Sequence, residues 1–95
     1  MRDHYVYILA DADRTELYFG MTNNLRRRVE QHKLDAGSGL AEGDKADLLV
    51  YYEGYDDIRE AIARERELRS LSKIEALALI IRNNPKWRDL TWDLG

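Results

Sequence analysis

The sequence predicts an α/β fold, a small, mainly antiparallel three-stranded sheet flanked by helices in the order β-β-α-β-α-α. Short runs in which β-branched and aromatic residues dominate indicate three strands. Apolar residues at helical spacing, each run preceded by a capping residue, indicate three helices. Because the chain has 95 residues and contains no linker-like segment, we expect a single domain over residues 1–95.

The first two strands are predicted to form a hairpin whose faces differ in chemistry. Strand-like residues 4–10 and 16–20 are separated by a polar break at 11–14. If these break residues form the loop, opposed positions sum to 25 and Tyr7 faces Tyr18. Side chains alternate between faces, so one face is apolar and the other carries phenols and a glycine. The apolar set is Val6, Ile8, Leu17 and Phe19, and the other set is Tyr5, Tyr7, Tyr18 and Gly20.

The first helix is predicted to begin at a cap, Thr22 or Asn23, and to end near Lys33. Its inward face combines apolar and polar side chains at helical spacing. This face comprises Leu25, Arg28, Val29 and His32. Residues 35–46 are rich in glycine, alanine and acids, which predicts a mobile loop, and residues 48–53 form the third predicted strand.

Two further helices are predicted in the second half of the chain. Asp56 or Asp57 caps the first of them, which runs to about Leu71, and Ser72 caps a last helix over 73–82. A glutamate interrupts the otherwise apolar inward face of the earlier helix. The two predicted faces are Ile58, Ala61, Ile62, Glu65 and Leu68, followed by Ile74, Leu77, Ala78 and Ile81.

Charge and composition narrow the class of protein. The chain carries 15 Lys+Arg against 18 Asp+Glu, a net charge of −3, whereas nucleic-acid binders usually show a basic footprint. The distribution is uneven, because residues 26–33 are basic and residues 41–60 hold seven acids against two bases. There is no cysteine, no apolar run of the ~20 residues that span a membrane and no signal-peptide pattern. We therefore expect a cytoplasmic protein without a membrane partner. A separate expectation is that Trp87 and Trp92 close the core, as buried aromatics usually do.

The polar residues on the predicted inward faces allow two interpretations. A buried guanidinium or carboxylate is costly unless it is paired or bound to a ligand, so Arg28 and Glu65 could form a buried or half-buried ion pair. Taken alone, Tyr7 and Tyr18 are ordinary cross-strand aromatics, and His32 is a helix-end histidine that the backbone satisfies. The other interpretation is a shared functional site.

The ordered set of these residues resembles the GIY-YIG nuclease superfamily. Residues 5–7 (Tyr-Val-Tyr) stand where that family has Gly-Ile-Tyr, and residues 18–20 (Tyr-Phe-Gly) stand where it has Tyr-Ile-Gly. Residues 20–32 fit its Gly-x-Ser/Thr-x-Asn-Leu-x-x-Arg-x-x-x-His pattern, and residues 60–65 resemble its Glu-Ala-x-x-x-Glu helix. The tail at 84–90 resembles the end of the small single-domain bacterial members.

The resemblance implies metal-dependent hydrolysis of phosphodiester bonds in DNA, with five catalytic residues. Glu65 would hold one Mg²⁺ (or Mn²⁺), a hard cation that accepts one carboxylate plus waters and phosphate oxygens. Arg28 would pair with the scissile phosphate. Tyr7 resembles the family's general base or water-positioning group, Tyr18 would support it by hydrogen bonding, and His32 would orient it or relay its proton.

Further positions of the pattern are assigned by the resemblance to substrate binding, namely Gly20, Thr22, Asn24 and Arg27. The DNA would be recognised by structure or by weak sequence selectivity. Two departures weaken the expected DNA platform: the acidic loop 41–47 replaces a basic segment, and few bases follow Glu65. The alternatives are therefore a catalytically weak or inactive module that binds nucleic acid or protein, and a stable domain whose charges are an ion pair. A protein partner that supplies DNA affinity is a further expectation.

Overall fold

The structure, a computed structural model, describes residues 2–38 and 46–94. Three strands form one open antiparallel sheet, in which β1 (His4–Ala10) is central and β2 (Leu17–Thr22) and β3 (Leu48–Tyr55) are the edges. The helices are α1 (Leu25–Ser38), between β2 and β3 in the chain, and then α2 (Ile58–Ser70), α3 (Lys73–Asn83) and the 3-10 helix η1 (Leu90–Asp93). The predicted fold class and element order are confirmed.

The hairpin register differs from the prediction by two residues. Tyr7 pairs with Gly20 and not with Tyr18, which pairs with Leu9. The loop is longer than predicted because the Asp11 carboxylate organises it: Asp11 Oδ1 accepts hydrogen bonds from the backbone N–H of Thr15 at 2.7 Å and of Glu16 at 3.0 Å. Residues 11–16 therefore lie outside the ladder.

The predicted sorting of side chains between the two faces of the sheet is nevertheless correct. Strand side chains repeat every two residues, so a shift of two residues returns each one to its predicted face. Helices α2 and α3 cover the apolar face, and α1 covers the face with the phenols. The first layer includes Val6, Ile8, Val50, Ala61, Leu68 and Ile80, with Leu17 and Phe19 packed against it. The second includes Tyr7, Leu9, Leu25, Val29 and Leu49, with Tyr5 and Tyr18 packed against it.

The helix starts follow local hydrogen bonds. Asp57 caps α2, and Ser72 caps α3 through a reciprocal capping box with Glu75, as the sequence predicts. At α1 the capping prediction is wrong by one or two residues, because Asn24 Oδ1 accepts the N–H of Arg27 at 3.2 Å.

The other end of α1 also departs from its prediction. The helix continues to Ser38 and does not end near Lys33, so the first residues of the predicted loop are helical. Polar and small residues lowered the helical periodicity there without preventing a helix. Residues 39–45 of that predicted loop, which include Glu42 and Asp44, lie outside the described residues.

Helix α3 shows where periodicity was misleading. The sequence placed Ile74 and Ile81 inward, but these side chains are 81% and 51% exposed, whereas Ala76 and Ile80 are buried. Seven of the eleven residues of this helix are apolar, so more than one face fits a core. Packing on the sheet selects the face.

The predicted inward face of α2 is correct in part. Ala61 and Leu68 are buried, and Glu65 is half-buried, but Ile58 and Ile62 are 46% and 36% exposed. Ala61 and Leu68 lie on one side of the predicted stripe and the two isoleucines on the other, so the sheet covers the first side and leaves the second in solvent.

The two tryptophans have different positions. Trp87 is buried, as expected, and the guanidinium of Arg14 lies 4.9 Å from its ring centroid. Trp92 is 84% exposed, so its predicted role in closing the core is wrong. It lies in the short 3-10 helix at the surface, where a single exposed aromatic is tolerated. None of the helices in the described ranges is long and apolar enough to span a membrane.

Candidate active site at strand β2

A cluster of three rings lies under α1, on the phenol-bearing face of the sheet. Tyr7 and Tyr18 are diagonal neighbours on β1 and β2, and their ring centroids are 6.2 Å apart. His32 reaches them from α1, with its ring centroid 4.7 Å from that of Tyr18 and 6.3 Å from that of Tyr7. The sequence-predicted contact between the two phenols is thus present, although the strands do not pair these residues directly.

Gly20 makes room for this cluster. It lies opposite Tyr7 in the ladder, and a Cβ atom on it would be 2.5 Å from both the Cζ and Oη atoms of the Tyr7 ring. Such a distance is a severe clash, so the glycine lets the phenol lie flat over the neighbouring strand.

Arg28 connects the buried rings to the surface. Its Nε donates a hydrogen bond to the Tyr7 hydroxyl at 3.3 Å, while the Arg28 side chain itself is exposed. Burial raises the pKa of Tyr7, and the hydrogen bond from Arg28 offsets part of that effect. The hydrogen bond to Tyr7 in turn raises the pKa of the Arg28 guanidinium. Tyr7 is therefore a neutral phenol at pH 7 that accepts from Arg28 and keeps its own proton available for donation.

Glu65 lies on the opposite face of the sheet from Tyr7 and Tyr18. It is carried by α2, and its side chain is 18% exposed. Arg69 Nε donates to the Glu65 carboxylate, and Arg69 Nη2 donates to the backbone carbonyl of Phe19 on β2 at 3.0 Å. These contacts place Glu65 near the outer edge of β2, the strand whose other face carries Tyr18.

The interpretation of Arg28 and Glu65 as one ion pair is wrong. Arg28 contacts Tyr7 under α1, whereas Glu65 pairs with Arg69 on α2, and the described residues contain no ion pair between Arg28 and Glu65. The sheet separates the two charges because their helices pack on opposite faces. Each charge therefore has its own local partner.

A polar cleft of about 280 Å³ opens where β2 ends and α1 begins. It brings Arg28 together with three of the four residues predicted to bind substrate. The lining is Thr22, Asn23, Asn24, Arg27, Arg28 and Gln31. Thr22 and Asn24 also shape the turn, since Thr22 Oγ1 accepts the Asn24 N–H at 3.1 Å. Gly20 is not part of the lining.

The donor set around Glu65 limits the kind of metal it could hold. Within residues 2–38 and 46–94, no three His, Cys, Asp or Glu side chains gather into a ligand cluster. A metal at Glu65 would therefore take one protein carboxylate and complete its shell with water and substrate oxygens. This arrangement fits Mg²⁺, which keeps several waters, and does not fit a cation that requires an all-protein cage.

Two ionic contacts of α2 were missed at the level of sequence. Arg69 lies four residues after Glu65, a spacing that favours an ion pair and could have been recognised. Glu53 binds Arg64, with its Oε1 2.9 Å from Nε, and accepts hydrogen bonds from the hydroxyls of Tyr51 and Tyr55. The alternation of tyrosine, glutamate and tyrosine along β3 could have indicated that these three side chains share one face.

Comparisons with known proteins show the family to which this chain is related. A model of the GIY-YIG catalytic domain matches residues 3–75. A UPF0213 protein of Natronomonas pharaonis is 41% identical over 78 residues, covering 82% of this chain and 91% of the relative. A UPF0213 protein of Clostridium perfringens is 39% identical over 77 residues, covering 81% and 82%. The solution NMR structure of a UPF0213 protein from Bacillus halodurans has a TM-score of 0.58 and 28% identity, and the similarity covers 93% of both chains.

Proposed function

Because the chain belongs to the GIY-YIG family, we propose that it is an endonuclease that hydrolyses phosphodiester bonds in DNA with one Mg²⁺ or Mn²⁺. The observation that carries the proposal is the hydrogen bond from Arg28 Nε to the Tyr7 hydroxyl, at the wall of an open polar cleft. A phosphate that enters the cleft would meet the exposed Arg28 guanidinium, which the fully buried Tyr7 phenol holds from behind.

Arg28 is the phosphate-binding group in this proposal. Its guanidinium has several N–H donors, so Nε can hold Tyr7 while the terminal nitrogens face a phosphodiester. Negative charge on the non-bridging oxygens grows in the transition state, and an oriented guanidinium stabilises it. Arg27, which lines the same cleft, contacts a neighbouring phosphate without reading sequence.

Tyr7 is fully buried, and in this proposal its hydroxyl orients Arg28. In the water-positioning role that the family implies, this hydroxyl would also contact the attacking water. Its raised pKa disfavours a free phenolate at neutral pH, so a hydrogen-bonding role suits the metal-free phenol better than that of a general base. Tyr18 and His32 hold the ring in place from β2 and α1. In the base role that the family also allows, the phenol would lose its proton only after a cation approached it.

Glu65 is the residue that would hold the metal. When bound there, a divalent cation supplies Lewis-acid stabilisation of the phosphate and the leaving oxygen. Glu65 contributes a negatively charged ligand, and its half-buried place between α2 and β2 restricts its motion. The remaining ligand positions would be filled by water and by a phosphodiester that passes round the edge strand β2, because Arg28 and Glu65 lie on opposite faces of the sheet.

DNA is the proposed substrate, chosen by its structure or by weak sequence selectivity. The cleft exposes backbone-binding groups, namely arginines and amides, which favour contact with phosphates over readout of base edges. The net charge of −3 predicts weak affinity for DNA, which a protein partner in the cytoplasm would increase.

A second candidate function is a binding module that does not cut. The observation that favours it is that the proposed metal ligand, the Glu65 carboxylate, already forms an ion pair with Arg69. A carboxylate that keeps this partner is a poor ligand, and a chain that retained only Arg27 and Arg28 would bind phosphates without hydrolysing them.

Cleavage assays separate the two functions. The protein is incubated with supercoiled, branched and single-stranded DNA in Mg²⁺ or Mn²⁺, beside Arg28→Ala and Glu65→Gln. Matched controls are Arg26→Ala, an exposed residue of α1, and Glu67→Gln, an exposed glutamate of α2. The endonuclease predicts cleavage that both site variants lose and both controls keep. Salt-sensitive binding without cleavage by the wild-type protein would support the binding module instead.

A further inference from the structure

Arg69 makes contact with the proposed metal ligand and with the edge of the sheet at the same time. Its Nε donates to the Glu65 carboxylate, and its Nη2 donates to the Phe19 carbonyl at 3.0 Å. The Glu65 side chain is 18% exposed, whereas that of Arg69 is 58% exposed. The carboxylate is thus largely covered, and the cation that neutralises it faces solvent.

This arrangement places a protein cation where a metal would bind. A divalent ion at Glu65 must either share the carboxylate with Arg69 or displace it, and close positive charges repel in both cases. Ion pairs of this spacing with an exposed partner are weak, so a divalent ion can displace the guanidinium. The displaced side chain can stay at β2, because its bond to Phe19 does not depend on Glu65.

We propose that Arg69 is a positioning residue that serves as a removable counter-cation for Glu65. It neutralises the carboxylate in the metal-free protein, yields it to Mg²⁺ or Mn²⁺, and thereby sets the metal concentration at which the site fills. This inference rests on the proposed metal role of Glu65 and adds to it a competitor supplied by the same helix.

Lys73, at the start of α3, provides a matched control near the same edge of the sheet. Its Nζ donates to the Thr15 carbonyl at 2.6 Å, just before β2 begins. Like Arg69, it is an exposed cation bonded to a backbone carbonyl beside this edge, but its partner is not Glu65. Arg66, an exposed cation next to Glu65 in sequence, controls for the loss of one positive charge on α2.

The test is direct measurement of Mn²⁺ binding by electron paramagnetic resonance of the free ion, without DNA. We expect Arg69→Gln to bind Mn²⁺ about 2- to 10-fold more tightly than wild type, because a competing charge has gone. Arg69→Lys keeps the charge and should stay within about 2-fold of wild type, as should Lys73→Gln and Arg66→Gln. Glu65→Gln should abolish this binding in both the wild-type and Arg69→Gln backgrounds.

A second readout excludes a merely structural role. In cleavage assays, Arg69→Gln should lower the Mn²⁺ concentration that gives half-maximal rate, a shift that loss of packing would not produce. Unchanged or weaker Mn²⁺ binding by Arg69→Gln, with Glu65-dependent binding in wild type, would overturn the inference and leave the proposed function intact. Absence of Glu65-dependent binding in every variant would overturn the metal site itself and this inference with it.

Discussion

Glu53 and Glu65 are two half-buried carboxylates on the side of the sheet that α2 covers, and they differ in how fully they are bonded. Their side chains are 19% and 18% exposed. Glu53 is bound by the Arg64 guanidinium, with Nε 2.9 Å from Oε1 and Nη2 3.0 Å from Oε2, and also by two tyrosine hydroxyls. Within the described part of the chain, Glu65 has the single side-chain partner Arg69.

The difference separates a structural carboxylate from one that can take a ligand. Both oxygens of Glu53 are engaged, so a metal there would break several bonds at once. Burial raises the pKa of Glu53, but hydrogen bonds from Arg64, Tyr51 and Tyr55 outweigh it and hold that pKa below its usual value. Glu65 has one exposed partner, which costs little to displace. Equal burial therefore does not imply equal function.

The two glutamates occupy opposite edges because of helix geometry. Arg64 and Glu65 are consecutive in α2, and successive residues of an α-helix point about 100° apart. Arg64 therefore reaches β3, where it binds Glu53, while Glu65 turns toward β2, where Arg69 contacts Phe19. One helix thus supports both edges of the sheet with neighbouring residues.

The largest expected effect is on cleavage by Glu65→Gln. The amide keeps the shape of the side chain but removes the negative charge that would hold the metal, so we expect a loss of at least about 100-fold in rate. The loss should appear as a lower rate at saturating DNA in single-turnover assays. The free energy of unfolding of the Glu65→Gln variant should stay within about 0.5 kcal/mol of wild type.

Glu53→Gln should show the reverse pattern. Charge-assisted bonds to Arg64 and the tyrosines are weakened and the guanidinium is left with its exposed partner Glu67, so unfolding in urea should become easier by about 2 kcal/mol. Glu65-dependent Mn²⁺ binding should be unchanged below the melting temperature. A Glu53 variant that kept full stability but lost cleavage would reverse the comparison.

Glu53→Gln should also change the pH dependence of the free energy of unfolding. The folded-state pKa of Glu53 is lowered, so its contribution is complete above the unfolded value of about 4.3 and disappears as pH falls through the folded value. The stability difference between wild type and Glu53→Gln should therefore be largest near neutral pH and shrink below about pH 4. Urea unfolding from pH 7 to pH 3 measures it, and a gap that widened toward low pH would contradict the assignment.

The smallest expected effect compares the two arginines. Arg69→Gln removes one exposed ion pair and should change the free energy of unfolding by about 0.5 kcal/mol or less. Arg64→Gln breaks a less exposed, two-point contact and should cost about 1.5 kcal/mol or more. Thermal and urea unfolding of both variants at pH 7 give the two numbers, and equal values would remove the distinction between the edges.

Much of the candidate site follows from local sequence. The phenols share a face because side chains alternate along a strand, and Arg28 and His32 lie on one side of α1 because they are four residues apart. The hairpin register could not be obtained in this way. It depends on the Asp11 carboxylate, whose bonds to Thr15 and Glu16 lengthen the loop by holding backbone N–H groups.

Which side chains form ion pairs depends on which helices and strands pack together. Periodicity indicated that Glu65 faces inward, and the same rule allowed a pair with Arg28, but the sheet lies between those helices. The face of α3 was undetermined for a related reason, since apolar residues surround it and the burial of Ile80 in place of Ile81 follows from contact with the sheet.

The sequence by itself determined the order of elements, the two faces of the hairpin and the residue types that can bind phosphate and metal. These properties depend on side-chain period and on capping chemistry, which act within a few residues. Only the tertiary structure decided that Tyr7 lies against Gly20, that Arg28 contacts the buried phenol, and that Arg69 neutralises Glu65. Those contacts depend on strand register and on which side chains the packed helices present to the sheet, and local spacing does not encode either.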